Sequence, residues 1–150
     1  MEYLKKLFAK KDDPINYFNS NKVIKNQEKS RRLINIEQLE KYIETYLDTV
    51  TDSILISPFE FLHGFHVRSS LHQKKDLLSE EKKRILLKYD KLLFFRSSEI
   101  YNHMKVIYHF ENSSESIEEW WWHLDKVVNK TVTIDFESQI IVYNGNKYQL

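Results

Sequence analysis

The chain has 150 residues, of which 41% are hydrophobic and 14% aromatic, and its formal net charge is +1. This length suits one domain, expected over residues 1–150, and the aromatic share favours a packed core over intrinsic disorder. The lack of cysteine excludes disulfides, thiol catalysis and thiolate metal sites, and two glycines are too few for a glycine-rich phosphate loop. With no apolar run long enough for a signal peptide or a membrane helix, we expect a soluble cytoplasmic protein without a membrane partner.

The first third of the chain is predicted to contain two helices. Apolar spacing indicates a short helix over residues 2–10, and 11–34 is expected to be mostly irregular. Asn35 is a suitable N-cap, with Gln38 placed as in a capping box, and the helix that follows should end near Thr51. Its predicted buried stripe is Ile36, Leu39, Tyr42 or Ile43, Tyr46 or Leu47, and Val50.

The middle of the chain combines one ambiguous segment with one clear helix. The run SILISPFEFLHGFHVRSS fits either a strand with a turn or a short helix that begins at Pro58. Ser79 is the predicted N-cap of the next helix, which should end at residues 96–99. Its predicted core stripe is Ile85, Tyr89, Leu92 and Phe95, widened by Leu86 and Leu93. Residues 100–110 fit a helix or a strand, and a helix is slightly favoured.

Three consecutive tryptophans, Trp120 to Trp122, follow a predicted capping box formed by Ser116 and Glu119. An α-helix is therefore expected to run to about Asn129. Its predicted core face comprises Ile117, Trp121, Leu124 and Val128, with Trp120 and Val127 beside them. Trp122 lies about 100° from Trp121 and should point to the polar side, where it either packs under a loop or the N-terminal segment, or binds a partner.

The C-terminal segment predicts an antiparallel β-meander. TVTIDF alternates apolar and polar residues, QIIVY is a second strand, and NKYQL is a third. Asn144-Gly145 between the last two is a strong hairpin signal, because both turn residues need positive φ. The expected fold class is α+β, with several helices packed against this meander.

Histidine offers the only candidate catalytic chemistry. Glu99 would share a helical face with His103, and such a pair, or His109 with a carboxylate, could act as a general base. The spacing of His63 and His66 is weak for a metal, because no carboxylate or thiol completes a ligand set. We therefore expect no catalytic residue, no metal and no cofactor.

Charge is distributed unevenly along the chain. Residues 1–32 carry nine Lys/Arg against four Asp/Glu, whereas 111–137 carry two against seven. The two segments could neutralise each other in the fold, or either could meet a partner. Asn, Gln and Glu dilute the basic stretch 22–32, and no aromatic pattern for base stacking recurs, so we do not expect nucleic acid as a partner.

The block WWWHLDK, Trp120 to Lys126, resembles the tryptophan-rich helix of immunity proteins from bacterial contact-dependent growth inhibition systems. The resemblance covers seven residues of 150. It implies a small cytoplasmic bacterial protein that binds and blocks one cognate toxin domain, usually a nuclease, without an active site of its own. Nuclease inhibitors are often acidic, and this chain is not, so segment 111–137 would have to supply the charge complementarity.

The sequence thus favours a toxin inhibitor that acts by occlusion and is not an enzyme. The candidate partner-binding residues are Glu115, Glu118, Glu119, Trp122 and Asp125. One alternative is a small enzyme or nucleic-acid-processing protein that uses a histidine–carboxylate pair. Another is a structural subunit that oligomerises through the tryptophan face, and the oligomeric state stays open.

Overall fold

The computed structural model describes residues 36–150. Nearly all of them belong to the second of two compact units, Leu39–Leu150. The helix expected over 2–10, the irregular segment 11–34 and the Asn35 cap lie outside the described residues. The single domain expected over residues 1–150 stays a prediction.

Two helices open the described part of the chain. Helix α1 covers residues 36–51, and its end confirms the predicted one. Helix α2 covers Pro58–Gln73 and resolves the ambiguous segment in favour of a helix. Its start is built by a capping box, because the Ser57 side chain accepts from a backbone N–H and Glu60 accepts from the Ser57 backbone. Of the predicted α1 stripe, Leu39, Ile43, Tyr46 and Val50 are buried, and Ile36 is exposed.

Helices α1 and α2 are in close contact at Gly64. A Cβ atom at this position would lie 2.4 Å from Cγ2, 2.5 Å from Oγ1 and 2.7 Å from Cβ of Thr49. Thr49 is itself buried, and its hydroxyl donates to the Thr45 carbonyl at 2.9 Å, so its side chain is held in place. The glycine is therefore required by the packing of the two helices.

Gly64→Ala is expected to lower the free energy of unfolding by about 1–3 kcal/mol, because the new methyl group overpacks the contact with Thr49. The sign of the change in unfolding free energy is informative, since the same substitution inside an unhindered helix stabilises a protein by about 1 kcal/mol. Thermal unfolding measures it. Thr49→Gly, which removes all the clashing atoms, should recover part of the loss in the double variant. A higher Tm for Gly64→Ala alone would contradict this packing.

Helix α3 covers Glu80–Phe95 and begins at the predicted cap, where the Ser79 hydroxyl accepts from the backbone of Lys82. Its buried face passes through Leu86, Asp90 and Leu93, so the predicted stripe is wrong in phase. The stripe residues Ile85, Tyr89 and Leu92 are half-buried, and Phe95 is 82% exposed. The widening residues Leu86 and Leu93 form the true centre.

Helix α4 covers Ser97–Met104 and follows α3 directly, so the helix break involves Arg96 alone rather than residues 96–99. The helix favoured for residues 100–110 is correct as far as Met104. Beyond it the chain turns, and Phe110–Asn112 forms a short 3₁₀ helix. Arg96 Nη1 donates to the Val50 carbonyl at 2.6 Å, which ties this corner to the end of α1.

The tryptophans do not lie on an α-helix. Trp120–His123 is a 3₁₀ helix, here called the tryptophan segment, and helix α5 covers only Leu124–Val128. The predicted capping box is wrong, because the Glu119 side chain bonds to Ser69 of α2 instead of to Ser116. A 3₁₀ helix turns about 120° per residue, so three consecutive side chains point in three directions.

The C-terminal meander is confirmed. Strands β1 (Val132–Asp135), β2 (Ile140–Tyr143) and β3 (Asn146–Gln149) form an antiparallel sheet in that order. Val132 pairs with Tyr143 in the first ladder, and Tyr143 pairs with Asn146 in the second. Asn144 and Gly145 have φ values of 51° and 76°, as a type I′ turn requires. The expected α+β class, with helices ahead of a C-terminal meander, is therefore correct.

The sheet and the helices share one core. Phe136 follows β1, and its ring lies 5.4 Å from that of Phe94 on α3 and 6.3 Å from that of Trp120. The tryptophan segment thus lies between the helices and the sheet. The tryptophan segment is buried because side chains surround it on several sides.

Candidate functional site

Ser69 of α2 anchors the tryptophan segment. Trp121 Nε1 donates to its Oγ at 3.1 Å and Trp122 Nε1 at 2.8 Å, while the Ser69 hydroxyl donates to the Glu119 carboxylate. A serine hydroxyl can accept two hydrogen bonds and donate one, so Ser69 is fully used. One residue therefore satisfies two indole N–H groups and fixes the backbone just before them.

Trp122 is buried, with only 2% of its surface exposed, and its predicted position on a polar face is wrong. Its ring centroid lies 5.5 Å from that of Phe65, 4.9 Å from that of His66 and 5.2 Å from that of Tyr108. The ring packs between α2 and the segment that follows α4. The residue therefore belongs to the core, and a partner could not reach it in this conformation.

Trp120 and Trp121 occupy the other two directions. Trp120 packs its edge against Phe94 of α3 at 6.2 Å and reaches the sheet. Trp121 faces α2, where the guanidinium carbon of Arg68 lies 4.4 Å from its ring centroid and the His72 ring lies at 5.8 Å. Trp121 and Trp122 thus pack against different parts of α2, and Trp120 packs against α3, so all three rings are buried.

A buried ionic network lies beneath Trp121. Arg68 Nε and Nη2 donate to the two carboxylate oxygens of Asp90 at 2.9 and 2.8 Å, and the Tyr46 hydroxyl donates to Asp90 at 2.7 Å. Burial and the Asp90 carboxylate raise the pKa of Tyr46 well above its usual value. Burial alone would lower the pKa of Arg68, but the neighbouring Asp90 carboxylate raises it, so the guanidinium stays charged. The network joins α1, α2 and α3.

This network was not anticipated from the sequence, although one signal was present. Asp90 lies between Leu86 and Leu93 on the buried face of α3, where a lone carboxylate requires a partner. Arg68 interrupts the apolar face of α2 in the same way. Two opposite charges inside apolar faces of separate helices favour a buried ion pair.

The four acidic candidates lie at different depths. Glu115 is exposed, Glu118 and Asp125 are half-buried, and Glu119 is buried against Ser69. Glu118 accepts a hydrogen bond from Ser116, and Asp125 lies 3.4 Å from Lys126 Nζ. The four carboxylates therefore do not form one polar face: one is exposed, two are half-buried and one is buried in the core.

His123 fixes the acidic segment 111–119 from within. Its Nε2 lies 2.9 Å from the Glu115 carbonyl, and because a carbonyl only accepts, Nε2 carries the proton. Burial lowers the pKa of His123, so the ring is neutral near pH 7. The Glu115 backbone is thus held, while its side chain is exposed.

The predicted histidine–carboxylate pair at 99 and 103 does not form. His103 Nε2 donates to the Ile56 carbonyl at 2.7 Å, and Glu99 accepts from Arg96 at 3.1 Å. His109 does lie 3.3 Å from Glu111, but both side chains are largely exposed. In residues 36–150, no three His, Asp or Glu side chains are grouped as a metal ion would require.

Comparison with known proteins returns no relative. No protein-family model matches the chain, and no curated protein or solved structure matches it significantly. Among the helices of the described residues, none is both long and apolar enough to cross a membrane.

Proposed function

We propose that this chain is an immunity-type inhibitor that binds a basic toxin domain, such as a nuclease, and blocks it by occlusion. The observation that carries the proposal is a preorganised acidic surface segment, residues 111–119. It is anchored through the backbone carbonyl of Glu115 and the side-chain carboxylate of Glu119, while the side chains of Glu111 and Glu115 are exposed.

Preorganisation matters because binding otherwise costs the entropy of ordering a loop. The acidic segment is joined directly to the tryptophan segment, whose rings are fixed between α2, α3 and the sheet. The backbone that carries the exposed carboxylates is therefore held in place. A rigid acidic surface favours specific recognition of an equally fixed set of Lys and Arg side chains.

The charge of the acidic segment is of one sign. Residues 111–119 contain four Glu residues and no Lys or Arg. A domain that cuts or binds nucleic acid needs a basic surface, because it must neutralise phosphates. An acidic surface segment is complementary to such a domain and would compete with its substrate for the same face. Charge complementarity to the toxin then comes from one region of a chain that is nearly neutral overall.

Two exposed apolar side chains lie close in sequence to a contact between the end of α4 and the chain before α2. The hydrogen bond from His103 to the Ile56 carbonyl joins the end of α4 to the chain that precedes α2. Leu55 and Val106, each within three residues of this bond, are 91% and 73% exposed. Val106 also precedes the acidic segment by only a few residues. Apolar anchors beside charged groups are typical of interface hot spots.

The test is co-purification of the chain with the product of an adjacent toxin gene, followed by calorimetry. We expect a Kd tighter than about 1 μM, equivalent to roughly −8 kcal/mol. The double variant Glu111→Lys/Glu115→Lys should bind roughly tenfold or more weakly, and the affinity of the original chain should fall as salt rises. Cells that express the double variant should lose protection from the toxin.

The matched control is Glu44→Lys/Glu81→Lys, which reverses two exposed carboxylates on α1 and α3. It makes the same change in net charge away from the acidic segment. If both double variants weaken binding equally, the effect is one of overall charge, and the assigned surface is wrong. If the chain binds no adjacent gene product, the inhibitor function is wrong.

A further inference from the structure

We propose that His123 is a pH-sensitive anchor, which holds the acidic segment in place at neutral pH and releases it when the imidazole ring takes up a second proton. The fold uses only one of the two ring nitrogens. Nε2 donates to the Glu115 carbonyl at 2.9 Å, whereas Nδ1 is buried and has no hydrogen-bond partner among residues 36–150. Control of toxin binding by this anchor rests on the proposed inhibitor function, but the anchor itself belongs to the free chain and is tested there.

A second proton can enter the ring only at Nδ1, because Nε2 already carries the proton that it donates to the carbonyl. His123 is only 5% exposed, so the resulting imidazolium ion would be largely desolvated, and its new N–H group would meet no acceptor in this packing. An unpaired charged group in such a position destabilises the conformation that buries it. The ring avoids this cost by leaving its place, which breaks its bond to Glu115.

The charged side chains of α5 do not remove this cost. Burial is the main cause that lowers the pKa of His123, and Lys126 lowers it further, against the opposing effects of the Glu115 carbonyl and of Asp125. Asp125 Oδ2 lies 3.4 Å from Lys126 Nζ, so these two side chains largely neutralise each other. Asp125 Oδ1 is itself buried without a partner, so it does not bond to the ring in this conformation.

The charged groups of the elements around α5 are engaged elsewhere. In the acidic segment, the Glu119 carboxylate accepts from Ser69, that of Glu118 accepts from a serine of the same segment, and the side chains of Glu111 and Glu115 are exposed. On α4, just after it and on β1, the bonded pairs are Glu99 with Arg96, His103 with the Ile56 carbonyl, Lys105 with Asn102, and Asp135 with Ser138. Among the described residues, none of these groups is bonded to the buried ring.

His72 of α2 is a second histidine beside the tryptophan segment, and it is half-buried. Its ring lies 5.8 Å from that of Trp121, and burial together with the cations Arg68 and Lys75 lowers its pKa, against two carboxylates of the acidic segment. It therefore gains a proton over a similar pH range to His123. Within the described part of the chain, no hydrogen bond joins its ring to the backbone of residues 111–119, so variants can separate the two histidines.

The direction of the pH effect follows from the burial of His123. The pKa of the anchored ring is lowered from its usual value of about 6.5, so the released ring takes up a proton at a higher pH than the anchored one. The anchor is therefore at full strength above that value and weakens as the pH falls towards the lowered pKa. A released imidazolium ion also brings a positive charge to the acidic surface, so the surface loses order and negative charge together.

Hydrogen exchange on the free chain, from about pH 7.5 to about pH 5, tests the anchor while ordinary Asp and Glu side chains stay ionised. The backbone N–H of Glu119 donates to the Ser116 carbonyl at 3.0 Å, so it reports on the order of the acidic segment. Its protection, relative to an unstructured peptide at the same pH, should start to fall at about pH 6.5 by up to about tenfold per pH unit, the limit for one proton. It should stay below that of the slowest amides of α3, which distinguishes release of the segment from unfolding of the chain.

His123→Gln is the variant that isolates the proton. Its carboxamide N–H can still donate to the Glu115 carbonyl but does not titrate, so the fall in protection of Glu119 should disappear. The matched control is His109→Gln, because His109 lies 3.3 Å from Glu111 and can also gain a proton beside the acidic segment, but is largely exposed. This control should keep the pH dependence of the original chain.

The original chain and His123→Gln also separate the anchor from the inhibitor function. If a cognate toxin binds at neutral pH, acidification should weaken its binding to the original chain more than to His123→Gln. If no toxin binds, the inhibitor function is wrong, and hydrogen exchange still decides whether His123 anchors the segment.

Proton NMR titration of His123 supplies the second measurement. The fall in protection of Glu119 should level off at the pKa measured for this ring, and that pKa should lie below the usual value. A pKa above the usual value, as a hydrogen bond from Nδ1 to Asp125 would cause, would overturn the release of the anchor. Equal losses of protection in the original chain and in His123→Gln, or protection that is unchanged at low pH, would overturn it as well.

Discussion

Asp90→Ala is expected to lower the free energy of unfolding by about 3–5 kcal/mol, because it leaves the buried Arg68 guanidinium without its counter-charge. Asp90 is 1% exposed and accepts three hydrogen bonds, two from Arg68 and one from Tyr46. Removing it leaves all of these donors unsatisfied in the core. Since a domain of this size is stable by about 5–15 kcal/mol, urea denaturation should show a variant close to its unfolding limit.

The control for this prediction replaces the whole network. In the triple variant Tyr46→Phe/Arg68→Met/Asp90→Leu, no buried polar group is left unpaired. It should be considerably more stable than Asp90→Ala, because an apolar replacement of a complete ion pair is often neutral or stabilising. If Asp90→Ala costs less than about 1 kcal/mol, the network is exposed to water in solution and its structural role is wrong.

The C-terminal meander was predictable from the sequence because its signals are local. The Asn144-Gly145 turn needs only its own two residues to specify a hairpin, and the strands on either side alternate. The start of α3 at Ser79 was predictable for the same reason, since a cap is made within a single turn. Such features depend little on the rest of the molecule.

The phase of α3 could not be read from its apolar pattern. Asp90 stands at the centre of the buried face, and a carboxylate there breaks the expected stripe and shifts it onto Ile85, Tyr89 and Leu92. What allows Asp90 to be buried is Arg68, which lies 22 positions earlier and on another helix. A partner so distant in sequence leaves no periodic signal in the helix itself.

The α-helix predicted for the tryptophan segment was wrong for a related reason. Ser116 and Glu119 have the spacing of a capping box, but Glu119 finds Ser69, 50 residues away, and the chain winds as a 3₁₀ helix. Because of this conformation, Glu119 and Trp122 lie in the core instead of on the expected surface. Among the predicted partner-binding residues, Glu115 alone is exposed, and the role of the group in binding stays a prediction.

Trp122→Ala is expected to cost about 3–5 kcal/mol of unfolding free energy, as truncation of a large core aromatic residue does. The ring contacts Phe65, His66 and Tyr108, and the deletion leaves a cavity between α2 and the chain after α4. A tryptophan on a polar helix face would instead lose little stability. Chemical denaturation therefore distinguishes the 3₁₀ segment from the α-helix that the sequence indicated.

Two further variants show which contacts account for the loss of stability. Trp121→Ala should cost a similar amount, because that ring is equally buried and also covers Arg68. Ser69→Ala should cost about 1–3 kcal/mol for each of the two indole N–H groups that it leaves unsatisfied, while keeping the rings in place. A Trp122→Ala variant as stable as the original chain, beside a strongly destabilised Trp121→Ala, would instead support the α-helical phase, because only that phase separates the two rings.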